Sequence, residues 1–150
     1  MAPLEDEKGF ATDPVVPADP VQNRVRRAHQ RATSLLSEAL APHSLTPPQW
    51  AALAALHHQG PMSQIDLGRS IAMDPATMQG VVVRLIARGL LVRGPDIHDR
   101  RRNLVSLSQQ GREVVAAAAP AVAKAETEFS GRLTPEERNT LLALLSRLTG

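Results

Sequence analysis

A chain of 150 residues with no cysteine can bury one core of its own, but it has no disulfide, no thiolate metal site and no thiol redox switch. Its three aromatics are Phe10, Trp50 and Phe129, so the core must be leucine, valine, alanine, isoleucine and methionine. Net charge is only +2, no apolar run reaches the ~18 residues a membrane span needs, and the acidic start is no signal peptide; a cytoplasmic protein without a membrane partner is expected.

Residues 1–19 read as a disordered tail. Glu5, Asp6, Glu7, Asp13 and Asp19 outweigh Lys8, and Pro3, Pro14 and Pro17 stand among few large apolar residues. Asp19-Pro20 then reads as a cap and first turn. Val21, Val25, Ala28, Ala32, Leu35, Leu36, Ala39 and Leu40 follow at helical spacing to about Ala41, where Pro42 ends the helix. One flank carries Arg24, Arg27 and Arg31. That stripe reads as a solvated face, a carboxylate-binding wall or a phosphate contact.

From Leu45 to Gly111 three helix starts are spelled out: Thr46-Pro47-Pro48-Gln49 is a capping box, Ser63-Gln64-Ile65-Asp66 a weaker cap, and Asp74-Pro75 a cap followed by proline. The first helix, Pro47 to His58, should bury Trp50, Leu53, Ala54 and His57. Pro61-Met62 could add a very short strand to the hairpin that follows. The second, Gln64 to Ala72, should bury Ile65, Leu67 and Ile71, with Gly68 permitting a close neighbour. The third, Pro75 to Arg88, should bury Met78, Val82, Leu85 and Ile86. It should leave Ala76, Thr77, Gln79 and Gly80 exposed early, with Val83 and Arg84 further on.

Gly89 stops that helix. Leu90–Arg93 and Asn103–Leu107 read as two strands around an exposed basic loop. Three helices and a basic hairpin outline a winged helix-turn-helix. Six arginines fall between Arg84 and Arg102, and a local basic cluster in a chain of modest net charge suits nucleic acid.

Beyond Ser108 an alanine-rich helix runs to Gly131, with Pro120 expected to kink it. Thr134-Pro135-Glu136-Glu137 is a second capping box. The last helix holds Leu141, Leu142, Leu144, Leu145 and Leu148, more leucine than one face needs, which points to a partner surface. No catalytic motif is present, and none of His29, His43, His57, His58 and His98 stands four residues from another, so no cofactor and no helical zinc pair is expected.

The segment carrying "DPATMQGVVVRL", "RGLL", Asp96, Asp99-Arg100-Arg101 and "LVSLSQQG" resembles the MarR family of bacterial transcription regulators. Asp96 to Arg101 matches that family's wing pattern of Asp, two residues, Asp-Arg-Arg. Gly80 stands where the family's recognition helix often carries arginine. "RRAHQR" with "SQIDLGRSIAMDPATMQGVV" is similar to the branch that represses nicotinate degradation and binds hydroxylated pyridine carboxylates.

The resemblance implies a mainly α fold with a small antiparallel β hairpin: a winged helix-turn-helix over 46–111 and an all-helical dimerisation region over 20–45 and 112–150. It implies a homodimer on a pseudo-palindromic double-stranded DNA operator and, by the family's commonest ligand class, a small aromatic carboxylate. The absence of cysteine excludes the peroxide sensing known in part of the family. DNA contacts would come from Asp74, Thr77, Gln79, Gly80, Arg84, Arg93, Arg100 and Arg102. Gln79 can pair bidentately with adenine, and Arg100 and Arg102 suit a narrow minor groove. Asp99 and Arg101 would brace the wing. Not every arginine near it can reach DNA, and the helix dipole lets Arg88 cap the third helix's C-terminus instead. Arg27, His29, Arg31, His43 and Trp50 are the candidate ligand wall. The alternative is a winged helix used for protein contacts without DNA.

Overall fold

Residues 20–150 are described by a computed structural model, in which caps decide where most helices begin. Thr46 opens α2 (Pro47–Gln59): its Oγ1 accepts from the Gln49 amide at 3.3 Å, and Gln49 Oε1 accepts from the Thr46 amide at 3.1 Å. Ser63 caps α3 (Gln64–Ser70), Asp74 caps α4 (Pro75–Ala87) and Ser108 caps α5 (Gln109–Ser130). Thr134 and Glu137 form the second capping box, at α6 (Pro135–Thr149). Helix α1 (Val21–Leu40) differs, starting after an extended Pro20 with no side-chain cap. The expected Asp19 cap and the tail over 1–19 lie outside the described residues.

The core explains what α1 and α6 are not for. Among the described residues, every buried apolar side chain lies between Leu40 and Ala118, around Leu53, Leu67, Met78, Val82, Leu85, Leu90, Leu91 and Val105. Helix α6 buries no residue, and Val21 and Val25 on α1 are exposed. The first half of α5 joins this core through Val115 and Ala118, and α5 runs without a break through Pro120.

Two glycines permit close approaches. A Cβ on Gly68 would stand 3.2 Å from the Met73 carbonyl oxygen and 3.5 Å from Met78 on α4, so α3 and α4 pack nearly backbone to side chain. A Cβ on Gly111 would collide with the Leu90 carbonyl, so only glycine lets α5 start against the hairpin's base.

The hairpin pairs β1 (Leu91–Pro95) with β2 (Asn103–Leu107), antiparallel, Leu91 opposite Leu107 and Pro95 opposite Asn103. Met62 adds a single bridge to Val105, with N–O distances of 3.2 and 2.8 Å, as its position after Pro61 predicts.

Several expectations are corrected. Helix α3 stops at Ser70 because Ala72 turns into the left-handed region, and Ile65 is 68% exposed, facing away from α4. Val81 is buried in α4 where Ile86 was expected, Ile86 being half-buried. In α2, Ala52, Ala55 and Leu56 are buried, Trp50 and Ala54 are only partly covered, and His57 is exposed. That helix is packed on more than one side, which a single-face reading misses.

The α2 capping box is the most accessible test of these helix starts. Thr46→Ala should destabilise the protein by about 1 kcal/mol, since one amide then loses its acceptor. Thermal unfolding followed by circular dichroism should show a melting temperature lower by roughly 2–4 °C. An unchanged transition would mean the cap contributes nothing.

Candidate nucleic-acid interface and ligand groove

Helices α3 and α4 meet through a short turn, and the exposed first turns of α4 carry the expected base-reading positions. Asp74 is fully committed there. One carboxylate oxygen accepts the Thr77 amide at 2.9 Å, and the other accepts the Thr77 hydroxyl at 2.6 Å. These bonds, the hydroxyl's foremost, hold the Asp74 carboxyl below its ordinary range. A depressed pKa means the charged cap is present at neutral pH and is lost only as pH falls through that lowered value. Asp74 thus orders the helix start. Thr77, having given its hydroxyl proton away, keeps only lone pairs and a methyl for DNA.

Gln79, two residues on, is exposed, and its Oε1 accepts from Gln64 Nε2 at 2.6 Å. Gly80 is partly covered, and a Cβ there would meet only the Arg84 guanidinium, at 3.4 Å. Arg84 is exposed on the same helix, where Thr77, Gly80 and Arg84 line a shallow cleft against Thr46 and Pro48 at the start of α2.

The wing explains its own motif. Asp96 accepts from the His98 amide at 2.9 Å, and Asp99 from the Arg101 amide at 3.1 Å; each aspartate closes a turn on the residue two further on. Backbone bonds from the Asp96 amide to the Arg102 carbonyl, and from the Arg102 amide to the Asp99 carbonyl, shut the loop. The Arg101 side chain reaches Asp99 at 3.4 Å but is 92% exposed. Such a pair contributes little, so the brace resides mainly in the backbone amide. Arg100 is exposed at the tip.

Two further arginines tie the wing down. Arg102 pairs with Asp66 of α3 at 3.2 Å, and Arg93 of β1 donates to Gln64 Oε1 at 2.8 Å. Arg88 does not spend its side chain on the end of α4. Its guanidinium donates to the carbonyls of Ser44 at 2.6 Å and His43 at 3.2 Å, anchoring the turn between α1 and α2.

A groove of about 640 Å³ lies between α1, α2 and α5. Its walls include Trp50 of α2 and Phe129 of α5, the two aromatics among the described residues, with His29 of α1 beside them. Glu126 stands at the groove, held by Arg138 of α6 at 3.4 Å. His29 and Trp50 therefore come together as expected. Arg27, Arg31 and His43 line neither this groove nor a smaller apolar one that runs between α1 and α6. Sequence reasoning missed Phe129 and Glu126, although a lone aromatic in an alanine-rich helix was a usable signal. It also missed Gln64 and Asp66, for which no local signal exists.

An exposed helix start beside a helix-turn, flanked by an arginine-tipped hairpin, defines a winged helix-turn-helix, the fold of a class of transcription regulators. The chain belongs to the MarR family, whose model matches residues 43–102. It is 35% identical to the HTH-type transcriptional repressor NicR of Pseudomonas putida over 128 residues, covering 85% of this chain and 81% of that protein. Among solved structures, a probable transcriptional regulator from Pseudomonas aeruginosa is 43% identical, with a TM-score of 0.79 over 87% of this chain and 97% of that one. Bordetella bronchiseptica BpsR, whose DNA binding is regulated by 6-hydroxynicotinic acid, is 34% identical, with a TM-score of 0.82 over 91% and 98%. Among the described residues, no helix is long and apolar enough to cross a membrane.

Proposed function

We propose that the protein is a dimeric repressor that holds a near-palindromic operator and releases it when a small aromatic or pyridine carboxylate enters the groove between α1, α2 and α5. One observation carries the ligand reading: in a chain so poor in aromatics, Trp50 and Phe129 stand on the same groove. Two aromatic walls suit a flat ring. His29 pairs with the carboxylate, and Glu126 accepts from a ring hydroxyl. The likeness to BpsR supports the same ligand class.

The groove lies where the two ends of the chain meet the DNA-binding lobe. A ligand that binds tightest when the α4 helices are misplaced for DNA weakens operator affinity by that difference. Thr77, Gln79, Gly80 and Arg84 of α4 face the major groove, and Arg100 enters the minor groove beside it. Dimerisation through α1 and α6 is supported by their exposed apolar faces, Leu148 being 67% and Val21 66% exposed.

Trp50 is the only tryptophan and so reports its own groove. Titrating the protein with 6-hydroxynicotinate, benzoate and salicylate should change Trp50 emission for at least one acid. The same acid should lower the anisotropy of a labelled operator selected in vitro. His29→Ala should weaken that acid by roughly tenfold or more, the worth of a charge-assisted hydrogen bond. Arg27→Ala and Arg31→Ala should bind it as wild type does. Silent emission across the panel, or loss of binding in the arginine variants alone, would remove the groove from the mechanism.

A further inference from the structure

We infer that Arg93 and Gln64 form a directional hydrogen-bond relay that sets which end of the Gln79 carboxamide is offered to DNA. The inference rests on the reading that Gln79 faces a base. Arg93 stands on the wing strand β1, Gln64 opens α3, and Gln79 lies near the start of α4. Arg93 Nη2 donates to Gln64 Oε1 at 2.8 Å, and Gln64 Nε2 donates to Gln79 Oε1 at 2.6 Å.

The polarity of this chain follows from the chemistry of its first member. A guanidinium has five donors and no acceptor, so only the carbonyl end of Gln64 can face it. The amino end of Gln64 is thereby turned toward Gln79, and being a donor it requires the Gln79 carbonyl. No other side chain among the described residues is seen to engage the Gln79 amino group, which is left to donate. A free glutamine offers either end equally, whereas this one is biased to offer a donor. In the major groove a donor is matched by the keto oxygens of guanine and thymine and by the N7 of either purine, while the amino groups of adenine and cytosine need an acceptor; adenine pairing through both N6 and N7 needs a donor and an acceptor together. The relay therefore moves Gln79 away from the adenine pairing that its residue type alone predicts. It also makes Arg93 a positioning residue instead of a phosphate contact, and couples the wing's placement to base choice. Arg93 and Gln79 are exposed in the free protein and Gln64 is partly covered. DNA excludes the water that competes with them, so the relay is strongest when the complex forms.

The test is selection from a library of double-stranded oligonucleotides with a randomised centre, using the full-length protein, its Gln64→Glu, Arg93→Met and Gln79→Ala variants, and a salt series on the winning duplex. Wild type should favour guanine and thymine over cytosine by roughly tenfold at one position per half-site, with adenine, which offers only N7, in between. Gln64→Glu replaces the relay's donor by a second acceptor. The introduced carboxylate would take Arg93 on one oxygen and the Gln79 amino group on the other, turning the Gln79 carbonyl outward. Preference at that position should invert toward amino bases, whatever the added negative charge does to total affinity. Arg93→Met removes the element that imposes polarity. Preference should narrow to within about threefold while the salt slope stays at the wild-type value, since no phosphate contact is lost. Circular dichroism should show wild-type unfolding for both, because the sites are on the surface.

If Gln79→Ala erases the preference but Gln64→Glu and Arg93→Met keep it as in wild type, the relay is overturned and base reading by Gln79 stands. If Arg93→Met instead makes the salt slope shallower by about two with preference unchanged, Arg93 is a phosphate contact and the relay is likewise overturned. If Gln79→Ala keeps the wild-type profile, base reading falls and takes the relay with it.

Discussion

Replacing Leu144 and Leu148 together by glutamate should leave a folded monomer that has lost specific DNA binding. Both leucines stand on α6, 49% and 67% exposed, one helical turn apart on a helix that buries no residue of its own chain. Leu142 beside them is 49% exposed. A lone apolar side chain on a surface is ordinary, but a row of them along a terminal helix is an uncovered contact surface. The core lies between Leu40 and Ala118, so two charges on α6 do not touch it. Sedimentation should report a monomer at micromolar concentration, where wild type should sediment as a dimer, and the helical circular dichroism should be largely kept. Operator affinity should fall on the order of a thousandfold, because two half-sites no longer act as one binding event. A double variant that remains dimeric would place the dimer contact elsewhere. A wild-type protein that sediments as a monomer would remove the dimer altogether.

The architecture was legible because its signals are local. Thr46, Ser63, Asp74, Ser108 and Thr134 each cap a helix through a bond spanning three residues, a distance the sequence displays directly. The Asp96 and Asp99 turns are equally local. What could not be read is what depends on tertiary approach. The Arg27 and Arg31 stripe has the right chemistry for a carboxylate, but which flank of α1 meets α2 and α5 is set by packing, and His29 and Thr33 occupy the groove. Ile65 fits a helical apolar pattern, yet α3 is too short to bury more than one face, and Leu67 with Gly68 takes it. Arg88, Arg93 and Arg102 carry equal charge in the sequence. Only the fold shows that Arg88 holds a turn 44 residues away, that Arg93 holds Gln64, and that Arg102 holds Asp66. Counting arginines in a basic stretch overstates how many are available to DNA, because some are structural ties.

Arg100 is the wing arginine for which the largest loss of DNA affinity is expected. It sits at the tip of a loop closed by the Asp96 and Asp99 turns, and it is exposed. Arg102, expected beside it as a DNA contact, is paired with Asp66 at 3.2 Å in the free protein, whereas Arg100 has no such partner among the described residues, so the larger loss is expected from Arg100. A dimer carries two such tips. If two or three arginines per subunit meet phosphate, the logarithm of affinity should fall with that of salt at a slope of roughly −4 to −5. Arg100→Ala should make the slope shallower by about two, since both wings lose a charge at once. At 0.1 M salt each released counterion is worth nearly tenfold, so affinity should drop on the order of fiftyfold on operator and on unrelated duplex alike. The drop should be larger where the flanks are A·T-rich, because the narrow groove there has the most negative potential. Arg101→Ala is the internal control. Its side chain is 92% exposed on a 3.4 Å contact, and Asp99 keeps the turn through the backbone amide, so melting temperature should be unchanged. Fluorescence anisotropy over a salt series, with both duplexes, measures the affinities and slopes, and thermal unfolding followed by circular dichroism measures the Arg101→Ala transition. An Arg100→Ala protein with wild-type affinity and slope would take the wing out of DNA binding. It would leave α4 as the sole contact and strengthen the case for a wing that meets protein.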